Sequence, residues 1–345
     1  MIIRAIIAVA ILAMSAWAWV RFDFISVEVI GQPASTGFIQ KDLERPFFEA
    51  LAKNTGLPLR IRDRSLEMVG YKDTYQLQML KDGTIDLVSL RFIQNSSVMP
   101  ELMGIDIAGL SSSFQIGRSV VGAYSAVIDQ TLQTKFGAKL LAIWPFGPQV
   151  LFCRKPIDSL RDLAGLKVRI AGPTLEPFTL GLNAIPVIIP YDDVNEALRI
   201  GIIDCAITSS ASANFSGWPK YSTHYFPITI QLGLNGYVIR LATWNRLSSA
   251  QQQVLMAAFE KHAQAIWSYA EMIHTETSSC NIGGECKLGV RYNLTNVSPS
   301  LEDFQIIQKI MKEGSFEKWS SECDHVSENC SRVFRKLLPF VFSDE

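Results

Sequence analysis

The chain has 345 residues, enough at about 150 residues per domain for two domains and a sizeable core. Apolar residues make up 48% and charged residues 19%, and 32 Lys+Arg against 33 Asp+Glu leave a net charge of −1. That balance excludes disorder over most of the length and a whole-chain basic field for nucleic acid, and six cysteines are too few for a disulfide scaffold. Residues 1–20 carry Arg4 ahead of an apolar run and end in Ala16-Trp17-Ala18, the small-x-small form of a signal-peptidase site. A cleaved signal peptide is expected; the alternative is an uncleaved anchor reaching Val20, and either way the remainder is exported. A strand is expected over 24–30, broken by Gly31, Pro33 and Gly37. A helix over 41–54 follows, with Leu43, Phe47, Phe48 and Leu51 on one face, and stops at Gly56. Next come a strand over 57–61, a helix from the cap Asp73 to Leu80, and a strand over 84–90. The order repeats as strand 167–171, helix 174–182, strand 187–189, helix 192–200 and strand 202–208. A long helix runs over about 249–274, followed by a less regular tail. Strands alternating with helices argue for a parallel α/β architecture.

One local echo suggests two similar lobes. Leu80 to Asp86 (LKDGTID) resembles Leu198 to Asp204 (LRIGIID), each a helix end, a glycine suited to a left-handed cap, and Ile-Asp entering an apolar strand.

Cys280 and Cys286 lie six apart, and Cys323 and Cys330 seven apart, so export predicts two local disulfides. Zinc, with His274 and His325 nearby, is the alternative, but the short C-x2-4-C spacing of structural zinc sites is absent. No metal or other cofactor is expected. Cys153 and Cys205 are either paired with each other or buried thiols. The catalytic signals G-x-S-x-G, H-E-x-x-H and the Walker loop are missing. His224, His262, His274 and His325 read as solvated or helix-surface residues, and Asp192-Asp193 as helix caps. An exported α/β protein without catalytic signatures points to a binder rather than an enzyme.

The stretch DLAGLKVR over 162–169 resembles the signature of extracytoplasmic solute-binding proteins. The run PVIIPYDDVNEALRIGIID over 186–204 narrows the resemblance to the substrate receptors of TRAP transporters. Residues 83–86, 105–110 with Phe114, and Trp218-Pro219-Lys220-Tyr221 fit as well, so the likeness covers about 27–274. It implies a periplasmic-binding-protein-like α/β fold: two lobes around a hinged ligand cleft, with a long helix spanning both. The expected division is 24–146 plus 234–262 for the first lobe and 147–233 for the second. A helical C-terminal part over 263–345 is expected to pack on the second lobe. The implied function is capture of a small organic acid for a TRAP membrane permease, by a monomeric periplasmic protein without enzyme activity. A sensory receptor on the same fold is the alternative.

In this reading Arg169 aligns with the family's main ligand arginine, whose rigid fork meets a carboxylate with two parallel hydrogen bonds. The sequence departs from the family at two places. Gln149 stands where many relatives have a second arginine, with Arg154 as a less favoured substitute. Thr208 or Ser209 stands where many have an asparagine, and Cys205 replaces a glycine. The cleft thereby loses a positive charge, which favours a monocarboxylate or a neutral polar ligand over a dianion. Further cleft candidates come from strand ends and crossings: Gln32, Ser89, Arg91, Trp144, Phe146, Phe215, Trp218 and Asn235.

Overall fold

The structure is a computed structural model describing residues 24–342. The export segment expected over 1–20 lies outside the described residues. The chain starts as β1 (Ile25–Gly31), α1 (Arg45–Thr55), β2 (Leu59–Ser65), α2 (Gln76–Asp82) and β3 (Leu87–Arg91), then α3 (Phe114–Phe136) and β4 (Ala138–Pro145). It crosses to β5 (Gln149–Cys153), β6 (Lys167–Ile170), α4 (Glu176–Gly181), β7 (Ile185–Ile188), α5 (Val194–Ile200), β8 (Cys205–Ser209), α6 (Ser210–Ser216) and β9 (His224–Phe226). It returns as β10 (Leu234–Arg240) and continues through α7 (Ser249–Asn281), β11 (Thr295–Asn296), α8 (Leu301–Ile310), α9 (Phe316–Val326) and α10 (Cys330–Leu337).

Two sheets result, ordered β2-β1-β3-β10-β4 and β11-β9-β5-β8-β6-β7. Parallel pairs lie at the heart of each, and the returning strands pair antiparallel. Leu87 to Leu90 of β3 and all of β8 are buried, as expected for strands covered on both faces. The local echo has a shared physical role in the two lobes. Gly83 and Gly201 end α2 and α5 with φ of 80° and 78°, where a side chain would be strained. Each also lies under a guanidinium: an added Cβ would sit 2.3 Å from Arg240 Nη1 or 2.2 Å from Arg154 Nη1. Asp86 then accepts the Glu28 N–H at 3.0 Å, and Asp204 accepts the Lys167 N–H at 3.0 Å, each tying its strand to a neighbour.

The two crossing segments bond to one another. Phe146 and Gly147 donate N–H groups to Gly233 and Leu232 carbonyls at 3.0 Å, and Gln149 to Gln231 at 2.8 Å. Asp106, fully buried, accepts the Leu232 and Leu234 N–H groups at 2.9 and 2.8 Å, pinning the return crossing to the first lobe. Burial pushes its carboxyl up to about 7 against these hydrogen bonds.

Helix α7 begins with a Ser248–Gln251 capping box and buries Leu255, Phe259, Ala263, Ile266, Trp267, Ala270 and Ile273. Each large apolar side chain of that face contributes roughly 1.5–3 kcal/mol of transfer free energy. The helix outlasts the expected end at 274 and stops at Asn281, because no breaker precedes Gly283. His262 is not on the surface as expected: it is buried, stacked on Phe47 at 3.8 Å and hydrogen-bonded to Tyr237 at 3.2 Å. His274 also turns inward, its Nδ1 lying 2.8 Å from Ser210 Oγ.

The C-terminal helices correct a further expectation. Helix α8 packs Ile307 and Ile310 into the second-sheet core beside Phe178 and Leu182. Phe316, Trp319, Cys323 and Phe334 of α9 and α10 instead join Tyr124 and Leu102 in the core of the first lobe. The tail therefore bridges both lobes rather than packing on the second. Cys280–Cys286 and Cys323–Cys330 are paired, and Cys153 pairs with Cys205 across the β5–β8 register. With these sulfurs bonded to each other, a zinc site built on them has no thiolates. Among the described residues no helix is long and apolar enough to cross a membrane.

Candidate functional site

Between the lobes lies a cavity of about 50 Å³, lined from the second lobe by Gln149, Arg169, Ala171, Tyr191, Thr208 and Ser212. Thr36, Arg91, Ile93 and Gln94 line it from the first lobe, and Phe146, Gly233, Leu234 and Asn235 from the crossings. Its lining mixes two guanidinium groups with amide, hydroxyl and apolar surfaces. The lobes touch at its rim. Ser212 Oγ and Ser216 Oγ donate across to the carbonyls of Thr36 and Ser35, both at 3.3 Å.

Arg169 is the dominant charge. It sits in the short strand β6 and is 3% exposed. Its Nε donates to the Ile189 carbonyl at 3.0 Å and its Nη1 to the Ile207 carbonyl at 3.1 Å. The Trp218 ring lies 5.4 Å from the guanidinium carbon, a cation–π contact. Among the described residues no carboxylate forms an ion pair with it. Burial lowers its pKa to about 10, with nearby Arg91 acting in the same direction, so it remains a cation at neutral pH. Burying an unpaired charge costs several kcal/mol, and two carbonyls and a ring offset only part of that. The site is therefore built to receive an anion.

The other walls are held in place before any ligand arrives. Gln149 Nε2 donates to the Gly147 carbonyl at 2.9 Å, and Asn235 Nδ2 to the Gly233 carbonyl at 2.9 Å. Tyr191 donates its hydroxyl to the Ser212 carbonyl at 2.6 Å, and burial pushes that hydroxyl up to about 12. It is a fixed, neutral wall.

Six of the twelve residues expected in the cleft line it: Arg169, Gln149, Thr208, Arg91, Phe146 and Asn235. The other six have different positions. Ser209 caps α6 by accepting the Ser212 N–H. Gln32 and Ser89 bond to each other at 3.1 Å inside the first lobe, next to the buried Glu44. Trp144 is fully buried between Phe146 and Tyr237. Phe215 packs edge-on against Phe38 at 5.1 Å. Trp218 supports Arg169 from behind. Arg154 stacks over Gly201 at the far end of β5, so it does not replace the missing arginine. Thr36, Tyr191 and Ser212 escaped sequence reading. Tyr191 did carry a signal, since it follows Pro190 directly at a helix start.

Two α/β lobes joined by crossing strands, closing on a buried and unpaired arginine, define a solute-binding receptor. Residues 48–281 match the bacterial extracellular solute-binding protein family 7, and the chain belongs to that family of TRAP-type receptors. A solute-binding protein of Roseobacter denitrificans is 27% identical over 181 residues, covering 51% of this chain and only about half (54%) of that relative. The sialic acid-binding periplasmic protein SiaP of Vibrio cholerae is 22% identical over 320 residues, covering 89% of this chain and 93% of that protein. The crystal structure of DctP7, a Bordetella pertussis extracytoplasmic solute receptor binding pyroglutamic acid, superposes with a TM-score of 0.76. That comparison covers 91% of this chain and 99% of the other at 18% identity, a likeness of fold. Family members are substrate-binding proteins, not enzymes.

Proposed function

We propose that this chain is the extracytoplasmic receptor of a TRAP-type secondary transporter. It captures a small organic acid by its carboxylate and delivers it to the membrane permease. The observation that carries this reading is Arg169, a buried guanidinium with carbonyls on one side, the cleft on the other and no counter-ion among the described residues. The carboxylate takes two charge-assisted hydrogen bonds from Arg169, and Gln149, Thr208 and Asn235 supply neutral polar contacts. Phe146 and Ile93 give the ligand an apolar surface. The named ligands of two relatives, sialic acid and pyroglutamic acid, are both carboxylic acids.

In this reading the protein acts as a periplasmic monomer, exported by residues 1–20. Its lobes are 24–146 plus 234–262 and 147–233. Because both lobes and both crossings line the cleft, ligand contacts drive hinge closure. Native mass spectrometry of the purified protein, followed by a thermal-shift screen of organic acids, tests the reading. A co-purified carboxylate, or acids raising the melting temperature by mass action, is the expected result. A neutral co-purified ligand, or no shift with any carboxylate, contradicts it.

A further inference from the structure

Arg169 is not the only guanidinium in the cleft. Arg91, the last residue of β3, lines the same cavity from the opposite lobe, and it comes already paired. Its Nη1 lies 2.8 Å from Asp73 Oδ2, with the two side chains only 14% and 26% exposed. The pair is held by a scaffold. Gln76 Oε1 accepts the Arg91 N–H at 2.9 Å, and Asn95 Nδ2 donates to the Arg91 and Asp73 carbonyls, both at 2.9 Å. The Arg91 Nε is buried and has no hydrogen-bond partner among the described residues. Among the described residues no acidic side chain lines the cavity itself. Asp192 also faces Arg91 from the second lobe, but it is exposed and screened by solvent.

The charge count follows. Two arginines, one of them paired with Asp73, leave the cleft one positive charge in excess. One carboxylate cancels that charge. A second would place an uncompensated negative charge next to Asp73 in a site shielded from water.

We infer that Asp73, acting through Arg91, is a specificity-determining residue that restricts the cleft to mono-anionic acids: one carboxylate on Arg169 and an uncharged amide, carbonyl or hydroxyl facing Arg91. This inference rests on the carboxylate-binding reading above. Asp73 is a positioning residue, because it touches the arginine and not the ligand.

The test is titration calorimetry near neutral pH with three matched pairs: malonate and malonamate, succinate and succinamate, glutarate and glutaramate. Within each pair an amide replaces one carboxylate at nearly constant shape. The wild type should bind the best monoamide about tenfold or more tighter than its dianionic partner, as a mismatched charge in a desolvated site requires. Asp73→Asn should shrink or invert that ratio by about tenfold, chiefly by tightening the dianion. Arg91→Gln should move the ratio the other way, which keeps the test decisive if Asp73→Asn folds poorly. An unchanged ratio in both variants, or equal wild-type affinity for both members of each pair, overturns the inference while leaving the receptor reading intact. Wild-type binding to none of the six acids, together with no thermal shift from any carboxylate in the screen, overturns both.

Discussion

Arg169 illustrates how much one side chain can specify. Its carbonyl partners and the Trp218 ring hold the guanidinium in one orientation, which presents a preorganised fork to the cleft. It could be singled out in the sequence because it ends a specific run, DLAGLKVR. Thr36 as a cleft residue and Asp73 as the partner of a cleft arginine were not legible, because their significance depends on partners far away in the chain. Asp73 read only as a helix cap, and its role emerges from Arg91, eighteen residues on. His262 was misread despite a signal: it falls between Phe259 and Ile266 on the same buried helical face. Burial lowers its pKa from 6.5 to about 3. A depressed folded pKa gives stability that is complete above about 6.5 and is lost as pH falls toward 3. Denaturant titrations should show wild type losing on the order of 3 kcal/mol relative to His262→Gln between about pH 7 and pH 4. Parallel pH profiles for the two proteins would contradict a buried neutral imidazole.

Among the elements, β1, β2, β3, β6, β7 and β8 and the short helices between them were legible because apolar runs alternate with glycine stops, whereas β4, β5, β9, β10 and α6, which lie at and around the crossings, were not. Nor was helix α3. Its 23 residues include Gly117, Gly122 and adjacent Val120 and Val121, which weaken the helical signal. Packing explains one glycine: an added Cβ at Gly117 would come within 2.1 Å of Leu232, next to the Asp106 clamp on the return crossing. Tertiary contact thus overrides local propensity. The disulfides also differ in what each restrains. Cys153–Cys205 closes a separation of 52 residues, against 6 and 7 for the other two. On the chain-entropy estimate the long loop contributes about 4 kcal/mol and each short loop about 2 kcal/mol. Peptide mapping without reduction should recover all three linkages. Replacing Cys153 and Cys205 together by alanine should lower stability more than replacing Cys280 and Cys286. The reverse order would show that the constraint on the unfolded chain is not the dominant effect.

At the scale of the whole molecule, the fold class was legible from β/α alternation and from one seven-residue echo. That echo corresponds to the same glycine–aspartate–arginine arrangement in both lobes. The placement of the tail was not legible, because apolar spacing identifies a buried face but not the core that buries it. In the structure α8 belongs to one core and α9 and α10 to the other. The crossings, the long helix and this tail all connect the lobes into one frame. That frame surrounds a cavity whose strongest feature is Arg169, a cation without a counter-ion among the described residues. The most direct measurement is calorimetric titration of the tightest-binding acid from the series above into wild type and Arg169→Lys. Lysine keeps the charge but loses the planar fork, so affinity should fall about tenfold or more while the fold stays intact by circular dichroism. Unchanged affinity in Arg169→Lys would contradict the assignment of Arg169 as the carboxylate receptor.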